Sequence, residues 1–157
     1  MYKRILILIS TLIGSVSFAQ EVQIGPINNK IEIGPLSGNR DLSFGVKNIL
    51  EEVLQEKGYD LLKDAKKVLE VDILYFDVKS TNMQLALYAN NKEVTEIIAK
   101  GKLLIDGKEV KSVVSKGQAT SVSTSTLVID KGGKFSQTNV SSALKKVCEQ
   151  IIDKLKI

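Results

Sequence analysis

Two stretches of the chain place apolar residues at helical spacing, and between them the apolar positions alternate. Leu42, Val46, Ile49, Leu50, Val53 and Leu54 fall at steps of 4, 3, 1, 3 and 1, which is one stripe of an amphipathic helix. Glu51, Glu52, Gln55, Glu56 and Lys57 fill the opposite face, Gly58 supplies a left-handed stop, and Asp41 caps or charges the start. Near the end of the chain Val140, Leu144, Val147, Cys148, Ile151 and Leu155 form a second stripe, with Thr138 as the expected cap.

The first strand signal is a short echo: Val22-Gln23-Ile24-Gly25-Pro26, then Ile31-Glu32-Ile33-Gly34-Pro35. Each Gly-Pro reads as a strand stop, because Pro removes a ladder donor. This predicts separate strands over 22–24 and 30–33. A short strand over 59–62 follows the first helix, then a long one over 68–79. In that strand Val71, Ile73 and Tyr75 share one face while Leu74, Phe76 and Val78 share the other. The apolar set changes parity near Leu74, which calls for a bulge or burial on both faces. Residues 83–89 alternate up to Asn90-Asn91, a pair that tolerates positive φ and so reads as a turn. Residues 94–105 form another long strand, and Asp106-Gly107 is the strongest hairpin signal in the chain. Strands over 109–114 and 119–129 complete the meander before Lys131-Gly132-Gly133 breaks it.

Two one-faced helices around such a meander predict an α+β domain, with both helices packed on one face of a mostly antiparallel sheet.

The first 20 residues change the charge arithmetic. Lys3 and Arg4 precede an apolar run over 5–13, and Ser17 and Ala19 are small residues at −3 and −1 of a cleavage site. Residues 1–19 therefore read as a secretory signal peptide and 20–157 as one domain. The apolar segment is shorter than the roughly 20 residues of a membrane span, so no span is expected after cleavage. Of 22 basic and 18 acidic residues the signal removes two basic ones, leaving a net charge of +2. So small a charge provides no basic face for nucleic acid. The chain has no His and no Trp and a single Cys, which excludes His-based triads, HExxH chemistry and any internal disulfide. The 43% hydrophobic and 25% charged composition is that of a globular protein.

Few residues suggest chemistry. Ser142-Ala143-Leu144-Lys145 matches S-x-x-K, in which a lysine activates a serine, but the S-D-N and K-T-G partners of that motif are missing. Glu70, Asp72 and Asp77 lie close along one strand and could bind Ca²⁺ or exchange protons, though the wet face of a half-buried strand explains them more simply. Cys148 belongs to an apolar stripe and reads as core. No catalytic residue, cofactor or metal site is expected. The hydroxyl-rich run Thr120, Ser121, Ser123, Thr124, Ser125 and Thr126 has three readings: a polar groove for a glycan, a soluble strand of high β-propensity, or an edge that adds a strand to a partner.

Arg40-Asp41-Leu42-Ser43-Phe44, Leu50-Glu51-Glu52-Val53-Leu54 and Lys57-Gly58-Tyr59 resemble the opening of the YajG-type bacterial envelope lipoproteins. In that pattern a helix running from R-D-L to G-Y precedes a long strand, here residues 71–78, then antiparallel strands and a C-terminal helix. The order of elements is similar over most of residues 30–157. The resemblance implies a small α+β envelope protein with no established reaction. This chain lacks the lipid-bearing Cys of that family, so direct lipid anchoring is not expected. A fold-level likeness extends to periplasmic accessory modules such as LpoB and the N-terminal part of TolB. The expected role is an exported, non-enzymatic interaction module in the periplasm or at the outer membrane, with an envelope protein as partner. The alternative is a binder of a glycan or lipid, held in a pocket between sheet and helices; a Ser/Lys or carboxylate enzyme is the third reading.

Overall fold

The computed structural model describes residues 20–33, 41–85, 88–125 and 136–157. Residues 1–19, which read as a signal peptide, lie outside them. In chain order the elements are β1 (Glu21–Ile33), α1 (Ser43–Glu56), β2 (Asp60–Leu61), β3 (Lys67–Leu85), β4 (Tyr88–Ile105), β5 (Lys108–Ser125) and α2 (Gln137–Leu155). The sheet order is β2-β1-β3-β4-β5. β1 runs parallel to β2 and β3, while β3–β4 and β4–β5 are antiparallel. A parallel neighbour needs a crossover, and α1 lies on it. The architecture is the expected α+β one.

α1 closes as its sequence predicts. Gly58 has φ +81°, its N–H donates to the Gln55 carbonyl, and the Tyr59 N–H donates to the Leu54 carbonyl, the paired bonds of a Schellman stop. At the other end Asp41 Oδ1 accepts from both the N–H and the hydroxyl of Ser43. α2 starts earlier than expected. Ser136, not Thr138, is its cap, accepting from the Asn139 N–H.

The strands hold three corrections. Gly25-Pro26 does not end β1; the strand continues to Ile33, and its register against β3 shifts between Ile24 and Ile27. A bulge accommodates the missing Pro donor without breaking the ladder. Asn90-Asn91 is not the turn. Leu85 already pairs with Tyr88, and Asn91 pairs with Asn82, its side chain accepting from the Ser80 hydroxyl at 2.8 Å. The strands over 109–114 and 119–129 are one continuous β5 as far as Ser125, beyond which 126–129 lie outside the described residues. Two other expectations hold. The register of β3 on β4 slips between Ile73 and Tyr75, at Leu74, and Asp106 and Gly107 both have positive φ, 50° and 77°.

The core occupies one face of the sheet. From β3 come Leu69, Val71, Ile73, Phe76 and Val78, whose common facing depends on the Leu74 bulge. They meet Val46, Leu50, Val53 and Leu54 of α1 and Ala143, Leu144, Val147, Cys148, Ile151, Ile152 and Leu155 of α2. Beneath α2 the strands present small residues: Ala99 and Gly101 of β4, Ser115, Gly117 and Ala119 of β5. A Cβ on Gly117 would overlap the Ala143 carbonyl, and one on Gly101 would overlap the Ile151 side chain. Gly117 is thus a contact surface for the helix and not a break in the strand.

Candidate functional site

β5 forms one margin of the sheet along its whole length. α2 runs antiparallel to it: Asn139 Nδ2 donates to Ser121 Oγ at 2.8 Å near the helix start, and Lys111 Nζ donates to the carbonyls of Lys154 and Leu155 at its end. Two lysines of α2 reach the carbonyls of β5. Lys154 Nζ donates to the Val114 carbonyl at 3.5 Å and to Ser115 Oγ at 3.2 Å, and Lys146 Nζ donates to the Gln118 carbonyl at 2.9 Å. Eight helical residues rise about 12 Å and four strand residues about 13 Å, so the two series keep step.

The hydroxyl-rich run divides. Thr120 is exposed and pairs with Val94. Ser121 is committed to docking α2, because Asn139 also bonds Glu93 Oε1, which accepts from the Ser136 N–H as well. Ser123, Thr124 and Ser125 continue the ladder opposite Asn91, Asn90 and Ala89. Thr126 lies outside the described residues. Val122, between them, is 66% exposed. Alternation alone had left open where this strand sits; the sheet order puts it at the edge.

On the face away from the helices, Asp72 and Asp77 of β3 are buried, while Glu70 is half-buried as expected. Asp72 is only 4% exposed and accepts from Asn28 Nδ2 at 2.7 Å, Lys102 Nζ at 2.9 Å and Lys30 Nζ at 3.1 Å. Burial pushes its pKa up, but hydrogen bonds from Lys102, Asn28 and Lys30 outweigh that and bring it down to about 2. Asp77 is also buried, accepting from the Tyr75 hydroxyl and the Val78 N–H. The half-buried strand face predicted for Asp72 and Asp77 is corrected by the lysines that neighbouring strands bring to Asp72. Among the described residues no three potential metal ligands converge. A shallow, open depression on this face is lined by Lys30, Leu74, Tyr75, Glu96 and Ile98; Glu96 is held by Lys116 at 2.6 Å. The space between sheet and helices, where a ligand pocket was expected, is taken among the described residues by the packed core.

Ser142 and Lys145 do not form a nucleophile and base. Lys145 reaches across to α1, donating to Glu52 at 2.8 Å and Glu56 at 3.1 Å, and these bonds raise its pKa. An ammonium so held keeps its proton. Cys148 is fully buried, and burial, with a smaller push from Glu149, raises its pKa to about 12.

The fold recurs in solved bacterial proteins. A DUF330 family protein from Xanthomonas campestris superposes with a TM-score of 0.51 at 13% identity, covering 87% of this chain and 81% of the other. A minor lipoprotein from Acinetobacter baumannii gives 0.48 at 8% identity, over 87% and 91% of the two chains. Lipoprotein GNA1162 from Neisseria meningitidis gives 0.45 at 12%, over 87% and 98%. At such identities the likeness is one of architecture. No protein-family model matches the sequence, and no curated protein matches it. None of the described helices is long and apolar enough to cross a membrane.

Proposed function

We propose that this chain is an exported, non-enzymatic accessory module of the bacterial envelope, of YajG-like type, that engages protein along the β5 edge. The observation that carries the reading is the position of β5: an 18-residue strand at the margin of the sheet, hydroxyl-rich at its far end, where Thr120 and Val122 are exposed. Such a margin offers backbone donors and acceptors to an added strand. The signal-peptide pattern and the architecture shared with the Xanthomonas protein support the setting. A photo-crosslinking residue at Thr120, in the native envelope, should give discrete protein adducts, whereas one at the exposed Asn48 on α1 should not. Equal labelling from both positions, or none from Thr120 in a correctly exported protein, would sink the reading.

A second reading rests on the depression beside Tyr75. An aromatic ring flanked by Lys30 and Glu96 suits a glycan fragment. Thermal shifts against a glycan and lipid panel test it, since a ligand at 100 times its Kd stabilises by about 2.7 kcal/mol; no shift, or shifts unchanged by Tyr75→Ala, would refute it.

A further inference from the structure

The margins of the sheet are not equally protected. β1, at the other side, carries Pro26, Lys30 and two register shifts, devices that discourage strand addition. β3, past its last pairing with β1, carries Asp77 and Lys79. The first half of β5 carries Lys108, Glu109, Lys111 and Lys116, and its Val114 and Gln118 carbonyls are taken by lysines of α2. Residues on a strand separated by two point their backbone groups to the same side. Lys116, Thr120 and Val122 therefore share the side of 114 and 118, and Val122 is the next position at the four-residue step that the lysines of α2 follow. The helix series that serves it runs 154, 146, 138, and position 138 holds Thr instead of Lys. Protection stops at Val122, and residues 117–125 contain no charge and no Pro.

Resting on the reading of β5 as the contact strand, we infer that its far end pairs antiparallel with the same segment of a second copy, about a two-fold axis at Val122. Charge and geometry both select this occupant. An uncharged edge gives an acidic or basic partner segment nothing to recognise, and it sets no like charges opposite one another when it meets itself. In this register Val122 faces its own copy, Thr120 faces Thr124, and residues 119–125 overlap. Among the described residues the nearest unshared cations are the Lys92 pair, one strand further back in each copy. They stand roughly 14 Å apart across three strand spacings, beyond the Debye length of about 8 Å in physiological salt. α2 does not obstruct, because it begins beside Ser121 and runs toward Lys111, so the two helices lead away from the axis in opposite directions. The result is one continuous sheet through both copies, an isologous contact.

The test uses the mature chain, whose native Cys148 is buried. Val122→Cys puts two thiols on the axis at a Cα separation of about 5.5 Å, within disulfide range, and air oxidation should give a crosslinked dimer. Val114→Cys is the control, because its two copies would lie roughly 50 Å apart. By sedimentation the unmodified protein should be a dimer, and Val122→Lys or Thr138→Lys should raise its dissociation constant at least about tenfold, with the melting curve of the dilute, dissociated protein unchanged. A monomeric unmodified protein without the V122C crosslink, or a dimer indifferent to V122K, overturns the inference. A photo-adduct from Thr120 in the envelope containing only a different protein would also overturn it, while leaving the proposed module intact.

Discussion

The close seat of α2 on β5 sets a sharp expectation for Gly117→Ala. The added Cβ would lie 2.6 Å from Val147 Cγ2 and would overlap the Ala143 carbonyl. Backbone cannot rotate aside as a side chain does, so the helix must withdraw by on the order of 1 Å, loosening Ala143, Leu144 and Val147, all buried. Overpacking of this kind costs about 2–3 kcal/mol, which for a domain of this size lowers Tm by roughly 10 °C. Gly45→Ala in α1 is the matched control. Its Cβ would meet Leu144 Cδ1 at an ordinary 3.4 Å, and relieving a helical glycine stabilises by about 0.5–1 kcal/mol. Gly101→Ala falls between them, because its obstacle is the Ile151 side chain, and Ile151→Leu, which lacks Cγ2, should recover part of the loss. Calorimetric or circular-dichroism melts read all three. If G117A melts within a degree or two of the parent, or shifts in the same direction as G45A, α2 does not sit where the structure puts it.

Asp72 should make the protein sensitive to acid. Its folded pKa of about 2 lies below its ordinary 3.8, so its contribution is fully present above about pH 5 and is lost as pH falls through 2. With Lys30 56% exposed and partly screened by solvent, that contribution is about 1–2 kcal/mol. Urea midpoints at pH 5 and pH 2.5 should differ more in the parent than in Asp72→Asn, and equal differences would refute the role. Cys148 should react with a disulfide reagent at pH 8 only as fast as the protein opens, because its thiol is buried and its pKa is near 12; prompt labelling in the native state would contradict this. Ser136→Ala should cost about 1 kcal/mol and Thr138→Ala far less, and denaturant titration showing the reverse would return the cap to Thr138.

Features that depend on neighbours in sequence were legible before the structure. The two stripes, the Gly58 stop, the Asp106-Gly107 turn and the change of parity at Leu74 are all local, and each appears where expected. The errors share one cause. Gly25-Pro26 and Asn90-Asn91 read as interruptions on their own propensity and residues 115–118 as a gap between two strands, whereas β3 tolerates the first as a bulge, Asn82 and Ser80 engage the second, and α2 packs on Gly117 within the third. The burial of Asp72 could not be read from alternation, because Asn28 and Lys30 come from β1 and Lys102 from β4. The candidate strand was found by its composition, but its place at the edge follows from the sheet order. The eight-residue step from Lys146 to Lys154 was visible, yet its meaning needed the carbonyls of Val114 and Gln118 beside it.

The parallel position of β1 carries a consequence for how the domain assembles. β3, β4 and β5 are joined by tight reversals and can zip up one after another, whereas Gln23 must find Val68, closing a loop roughly ten times longer than a hairpin. That closure costs about 2 kcal/mol more in chain entropy and earns a ladder broken at two places. The first strand to emerge is thus the last to be secured. Its amides should exchange with solvent ahead of those in β3 and β4, and until it docks, the long flank of β3 stands open during folding.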